Sequence, residues 1–245
     1  MTRTSLITGV NGHIARRLAA ARIQLGERVI GIDLGKDCVV EGVRYISCDL
    51  SDADALMKSC LEIASIGEID HFVHCAAMTA NSAGRGWTGS LPGQSVDLWN
   101  RALAVNLTSA FIISKELFSL PSSLSDRRIV LLSSIYGALG PDKLIYEGQT
   151  MANAAAYGVS KAGLEALGRY LASMLSPAVK VNTIRLGGIE RGQREAFIGA
   201  YNRKTLLGRM GTESDVLPVV SFLLEPGNSY MTGSVVDVDG GLSVI

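Results

Sequence analysis

The chain has 245 residues, of which 47% are apolar and 19% charged. That size suits one large α/β domain, and the composition excludes a disordered chain. Twenty-three Lys and Arg balance 23 Asp and Glu, so the basic field that nucleic acid or an anionic membrane surface requires is missing. Four cysteines, Cys38, Cys48, Cys60 and Cys75, form no C-x-x-C pair and are expected to be reduced. No apolar run approaches the roughly 20 residues of a membrane span, and the start lacks a signal peptide pattern. A cytoplasmic protein without membrane or nucleic-acid partners is expected.

In chain order, Thr4-Ser5-Leu6-Ile7 reads as a strand and Gly12 to Gly26 as a helix. Val29-Ile30-Gly31-Ile32 is the next strand-like run. Tyr45-Ile46 and Phe72-Val73-His74 follow, with a helical stretch from Asp52 to Ala64 between them. A helix near Asp97–Phe118, a strand at Ile129-Val130-Leu131-Leu132 and a helix near Tyr157–Leu175 come after. Val179–Ile184 and Val235–Val238 close the series. Apolar strands alternating with helices predict a doubly wound parallel sheet of Rossmann type, with helices on both faces. No linker or repeat interrupts residues 1–245, which predicts a single domain.

The first strand runs into Thr8-Gly9-Val10-Asn11-Gly12-His13-Ile14-Ala15. A glycine turn opening a helix lets backbone amides and the helix dipole meet a pyrophosphate. It can also be a plain tight turn. The second strand ends in Asp33, about 20 residues beyond Gly12. A carboxylate there accepts from ribose hydroxyls and repels a 2′-phosphate, which favours NAD over NADP. Arg16 and Arg17 lie a turn into the helix and read as solvated. Asp49-Leu50 closes the third strand at the height of an adenine ring; a helix-capping region before Ser51 is the other reading.

Tyr157 and Lys161 are four residues apart, on one helical face. A phenol near pKa 10 is a poor proton donor or acceptor at neutral pH, and a nearby cation favours the phenolate. The preceding strand ends in Ser133-Ser134, where a hydroxyl can hold a substrate oxygen or cap a turn.

Together these pieces resemble the short-chain dehydrogenase/reductase family over nearly the whole chain. The resemblance adds Ala76-Ala77, Val105-Asn106, Val181-Asn182, Gly187, Tyr230-Met231-Thr232-Gly233 and Val238-Asp239-Gly240-Gly241. It implies hydride transfer between NAD and a carbon bearing a hydroxyl or carbonyl. By resemblance, Tyr157 is the general acid/base and Ser134 holds the substrate oxygen. Lys161 binds the nicotinamide ribose and tunes Tyr157, while Asn106 holds a water in a proton relay. Cofactor contacts are implied at Gly9, Asn11, Gly12, His13, Ile14, Asp33, Asp49, Leu50, Ala76, Ala77, Tyr157, Lys161, Gly187 and Ile189. The spacing Gly9-x-x-Gly12-x-x-Ala15 looks like the longer, epimerase-like branch, whereas the length and carboxyl-terminal motif fit the short branch. His74-Cys75-Ala76-Ala77 replaces the usual Asn-Asn-Ala-Gly, and Leu186-Gly187 the usual Pro-Gly. Arg191 stands close to the position of a threonine that often lies near the nicotinamide amide.

Three segments bear on the substrate. The insert Pro141-Asp142-Lys143-Leu144-Ile145-Tyr146-Glu147-Gly148-Gln149-Thr150 borders the site at both ends; its Tyr146, Glu147 and Gln149 either bind a polyhydroxylated substrate or form a polar surface loop. Asn81–Gly93 carries Arg85 and Trp87, and Trp87 either stacks on a sugar or covers a core edge. Arg191, Arg194, Arg203, Lys204 and Arg209 suit an anionic substrate or a solvated helix face. Gly158, Gly163 and Gly168 in the Tyr157 helix each cost about 1 kcal/mol against alanine, so close packing is expected there. The partner is a second subunit, as in a homodimer or homotetramer of the family, or another part of the same chain. The reading is an NAD-dependent oxidoreductase acting on a small molecule in carbohydrate metabolism. A sugar epimerase or dehydratase retaining its NAD, and a non-catalytic NAD sensor, are the alternatives.

Overall fold

The computed structural model describes residues 2–79, 83, 87, 90–142, 145–146 and 153–244. Seven parallel strands form one sheet: β1 (Thr4–Thr8), β2 (Arg28–Asp33), β3 (Val43–Ser47), β4 (His71–His74), β5 (Arg127–Ser134), β6 (Val179–Leu186) and β7 (Val235–Val238). Their spatial order is β3-β2-β1-β4-β5-β6-β7. The order reverses between β1 and β4, where Ser5 pairs with His71 and Thr8 with His74. In an open parallel sheet the ligand crevice lies at that reversal, beyond the carboxyl ends of the strands.

The doubly wound expectation holds, for a reason visible in the strands. Successive apolar residues go to opposite faces. Leu6, Phe72, Ile129 and Leu131 join one core cluster, and their neighbours Ile7, Val73, Val130 and Leu132 join the other. On the first face lie α2 (Ala53–Ile66), α4 (Ser109–Phe118) and α5 (Ala155–Leu175); on the second, α1 (His13–Gln24) and α7 (Glu213–Leu224). Burying each such Leu, Ile or Val contributes roughly 1.5–3 kcal/mol.

Local chemistry sets the element ends. Asp52 caps α2 by accepting from Ala55 N at 3.0 Å. Thr212 and Asp215 form a reciprocal capping box at the start of α7. The sequence reading names no helix there. That box and the apolar face Val216, Val220, Leu223 and Leu224 carry α7 despite Pro218 inside it. The helix expected near Asp97–Phe118 is also more complex. It comprises α3 (Val96–Leu103), a π-helical turn over Ala104–Thr108, and α4. A short helix, α6 (Glu195–Asn202), follows β6.

Gly158, Gly163 and Gly168 pack within the chain. A Cβ on them would lie 2.9 Å from Tyr136 O, 2.8 Å from a Leu107 methyl and 2.6 Å from Thr183 Oγ1, respectively. The intramolecular alternative accounts for all three. Among the described residues no helix is long and apolar enough to cross a membrane.

Candidate active site

The glycine turn closes tightly at the β1–β4 reversal. Gly9 has φ +67, a left-handed conformation that disfavours a side chain. A Cβ there would also lie 2.8 Å from Ala76 Cα and 2.9 Å from Ala76 N. Gly9 N donates to Ile32 O and Gly12 N to Gly9 O, both at 2.8 Å. Gly12 then caps α1 with no side chain, so the first-turn amides face outward, as an anion site requires. Asp33 Oδ2 accepts from Asn11 N at 2.9 Å, which ties the end of β2 to the turn. Asn11 pins the next loop through Asp37 O at 2.9 Å and Val39 N at 3.0 Å. Ile14 packs on the core, while His13, Arg16 and Arg17 are exposed. These residues fit a dinucleotide whose pyrophosphate sits on the α1 amides and whose ribose meets Asp33.

Asp49 sits at the same edge, but its carboxylate is already engaged. Ser51 N and Oγ donate to it at 2.9 and 2.7 Å, and Arg101 at 3.1 Å. Burial raises this carboxyl, and the Ser51 and Arg101 contacts outweigh it. The capping-region reading of Asp49 describes these contacts. Leu50 and Ala76 are buried beside it in the first core cluster, and Ala77 is half-buried. On the other side of the crevice Gly187 N donates to Val238 O at 2.9 Å, and Ile189 bridges to Gly211.

Tyr157, Ser134 and Lys161 converge where β5 meets α5. The Ser134 hydroxyl lies close to the Tyr157 phenol and favours its charged form. Ser134 Oγ also accepts from Tyr136 N at 3.3 Å, the turn cap that was one reading of this serine. Lys161 is buried, with Nζ 5.8 Å from the Tyr157 ring centre. Nζ donates to Leu132 O at 2.7 Å. Burial pushes the Tyr157 phenol above its ordinary range, against the lowering by Ser134 and Arg191 and with a further push from Tyr146. Burial likewise pulls Lys161 down to about 8. The ammonium is held by a backbone carbonyl, and burial of the phenol outweighs the contacts that favour its charged form.

Asn106 is fully buried in the π-helical turn. Its Oδ1 accepts from Met78 N at 2.6 Å and its Nδ2 donates to Ser160 Oγ at 2.9 Å. The Asn106 side chain is thus spent on the fold. The group left for a water is the backbone, where a π-turn breaks the regular ladder.

The surrounding walls are aromatic. The Tyr136 and Tyr146 hydroxyls bond to one another, Tyr146 stacks on Phe197 at 5.7 Å and Phe197 on Tyr201 at 6.1 Å. Tyr201, which the sequence reading passes over, accepts from Gly188 N; no local motif marks it. Trp87 is buried with Met78, Ala102, Ala154 and Ala156, so it covers a core edge rather than offering a sugar a face. Of the five cations after β6, Arg191 pairs with Glu213 at 3.2 Å, Lys204 with Asp142 at 3.1 Å and Arg209 with Asp215 at 2.7 Å. Arg85, Lys143, Leu144, Glu147, Gly148, Gln149 and Thr150 lie outside the described residues.

A protein-family model described as enoyl-(acyl carrier protein) reductase matches residues 9–243. The 3-oxoacyl-(acyl-carrier-protein) reductase FabG of Salmonella typhimurium is 27% identical over 99% of this chain and 98% of its own length. A short chain dehydrogenase from Leptospira borgpetersenii, solved with bound NAD+, superimposes with a TM-score of 0.87. It is 28% identical, and the match covers 99% of this chain and 93% of the other. A glucose/ribitol dehydrogenase from Brucella melitensis gives a TM-score of 0.78 at 28% identity, covering 98% and 96% of the two chains.

Proposed function

The chain belongs to the short-chain dehydrogenase/reductase family, and from that premise we propose that it interconverts a secondary alcohol and a ketone as an NAD(H)-dependent oxidoreductase. The observation that carries this reading is the meeting of Ser134, Tyr157 and Lys161 beside a glycine turn shaped for a dinucleotide. The nicotinamide cofactor, when bound, supplies or accepts the hydride. Ser134 holds the substrate oxygen next to the Tyr157 hydroxyl. In oxidation Tyr157 takes the alcohol proton; in reduction it returns one to the carbonyl oxygen. Lys161 lends its charge to the phenolate and its donors to the nicotinamide ribose. Asp33 selects NAD by accepting from the ribose hydroxyls.

The substrate class follows from the walls. Phenols at Tyr136, Tyr146 and Tyr201 around Tyr157 supply donors and acceptors suited to a sugar or polyol. The Brucella relative, a glucose/ribitol dehydrogenase, supports this choice. A second reading has its own observation. A cavity of about 340 Å³ lies between Trp87, Leu91, Leu98, Trp99 and Ala154–Ala156, the residues that precede Tyr157 in the chain. An acyl chain fits such a lining, as the acyl-carrier reductase relatives suggest. Assembly as a homodimer or homotetramer, a single domain and a cytoplasmic location complete the proposal.

The test is NADH formation from NAD⁺ with pooled sugars, polyols and secondary alcohols, alongside NADH-dependent reduction of an acetoacetyl thioester. Wild type and Tyr157→Phe are run side by side with NADH binding measured for both. Tyr157→Phe is expected to lose turnover by roughly 10²–10⁴-fold while NADH binding persists. Turnover that survives the substitution removes Tyr157 from its role. Activity on the thioester alone replaces the sugar reading with the acyl one.

A further inference from the structure

Glu165 is a buried carboxylate on the catalytic helix, one turn beyond Lys161. Proton transfer at Tyr157 makes no direct use of it, yet three elements meet there. Its Oε1 accepts from Ser133 Oγ at 2.9 Å, and the same hydroxyl lies 3.1 Å from the Lys161 carbonyl. Arg185 of β6 donates to both carboxylate oxygens, Nε at 3.0 Å and Nη2 at 2.8 Å. Arg185 Nη1 reaches Asp237 of β7 at 2.8 Å. Gly137, in the turn after Ser134, leaves the room for this. A Cβ on it would lie 2.7 Å from Glu165 Oε1 and 3.1 Å from Ala162 N.

The geometry is that of a clamp. A two-pronged guanidinium–carboxylate pair fixes direction as well as distance. Its carboxylate grips the residue preceding Ser134 and, through the same hydroxyl, the backbone of Lys161. An apolar side chain would fill the space without holding that register. We propose that Glu165, held by Arg185, is a positioning residue that locks the carboxyl end of β5 to the catalytic helix and so sets where Ser134 meets Tyr157. The proposal rests on the reading of Tyr157 as the proton-transfer group.

The Ser134–Tyr157 contact can be followed without a substrate. Protein labelled with ¹³C at tyrosine Cζ reports the bonding of each phenol, and Tyr157→Phe assigns the Tyr157 resonance. Ser134→Ala sets the shift expected when the contact is lost. Glu165→Gln and Arg185→Lys are expected to move the resonance in the same direction and by most of that amount. Glu27→Gln, at a buried carboxylate of the opposite sheet edge, is expected to lower the melting temperature and leave the resonance in place. A Tyr157 resonance unmoved by Glu165→Gln overturns the proposal. So does an equal shift in Glu27→Gln, which would mean general loosening. If Glu165→Gln does not accumulate as folded protein, Arg185→Lys, which keeps the charge, decides with the same two outcomes. With a substrate from the screen, Glu165→Gln is expected to lower turnover roughly 10- to 100-fold with NADH binding unchanged. Failure of the enzymatic reading shows elsewhere, as turnover retained by Tyr157→Phe.

Discussion

At the amino ends of the strands, buried charges are matched. Arg22 of α1 lies with its Nε 2.8 Å from Glu27 Oε2, and its Nη1 reaches Glu225 at 3.1 Å. Ser5 donates to the same Glu27 carboxylate at 2.6 Å. Arg128 is met by Asp126 at 2.9 Å and by the carbonyls of Leu223 and Asn228 at 3.2 and 2.9 Å. Burial pushes the Glu27 carboxyl up, but its contacts with His71, Arg22 and Ser5 outweigh it and hold it at about 2. At the carboxyl ends, Lys161 is just as buried, and among the described residues no carboxylate pairs with it. Burial and the Lys161 charge pull His74 down to about 3. Its Nδ1 has Thr8 Oγ1 at 2.9 Å, while its Nε2 is buried without a hydrogen bond. One edge uses charge to hold the fold. The other tolerates uncompensated groups, whose pKa values burial shifts away from their ordinary range.

This contrast can be broken from either side. Glu27→Ala leaves buried Arg22 with only the partly exposed Glu225, and it is expected to cost about 3 kcal/mol of stability. NADH affinity should stay within about twofold, which is under 0.5 kcal/mol. In wild type the Glu27 contribution is complete above its ordinary carboxylate range and is lost as pH falls toward 2. Denaturant melts from neutral to acid pH would show that loss flattened in the variant. A large loss of NADH binding would mean the two edges are not separable.

Lys161→Met should act in the opposite sense. A lysine lowered to about 8 destabilises the fold fully below that pH. The penalty is relieved as pH rises from about 8 toward the ordinary lysine value, because the unfolded chain binds more protons there. Stability of wild type should therefore rise by as much as about 3 kcal/mol across that window, and the rise should vanish in Lys161→Met. The variant should be at least as stable as wild type at neutral pH and lack turnover. A less stable variant without that pH signature would show that the carbonyl of Leu132 compensates the charge after all.

The smallest expected effect is on cofactor choice. Asp33→Ala should reduce the NADH-over-NADPH preference by about tenfold, or 1.4 kcal/mol, measured as the ratio of dissociation constants. An unchanged ratio would remove Asp33 from cofactor selection and leave it to its bond with Asn11.

Much of the fold was legible because both faces of the sheet are buried. That forces apolar runs in every strand, and the runs alternate with helical periods. The helix at Glu213–Leu224 escaped since Pro218 masks its period, although Thr212 and Asp215 carried its start signal. The π-turn at Ala104–Thr108 left no such signal. Its hydrogen-bond register differs from an α-helix by one residue, a difference that composition does not encode. Trp87 shows a related limit, since a lone tryptophan in a polar loop suits a sugar platform and a core edge equally. No local pattern marks Glu165, because Arg185 and Ser133, which share it, stand 20 and 32 residues away.

Local chemistry already present in the chain determined the alternation of strands and helices, the glycine turn with Asp33, and the Tyr157–Lys161 spacing. Each depends on neighbours within a helical turn or a strand pair, which periodicity can express. Tertiary structure alone decided which way Lys161 points, what the Asn106 side chain is spent on, and which buried charges find partners. Those outcomes depend on contacts between residues far apart in the chain, and on desolvation, which exists only once the core has closed around them.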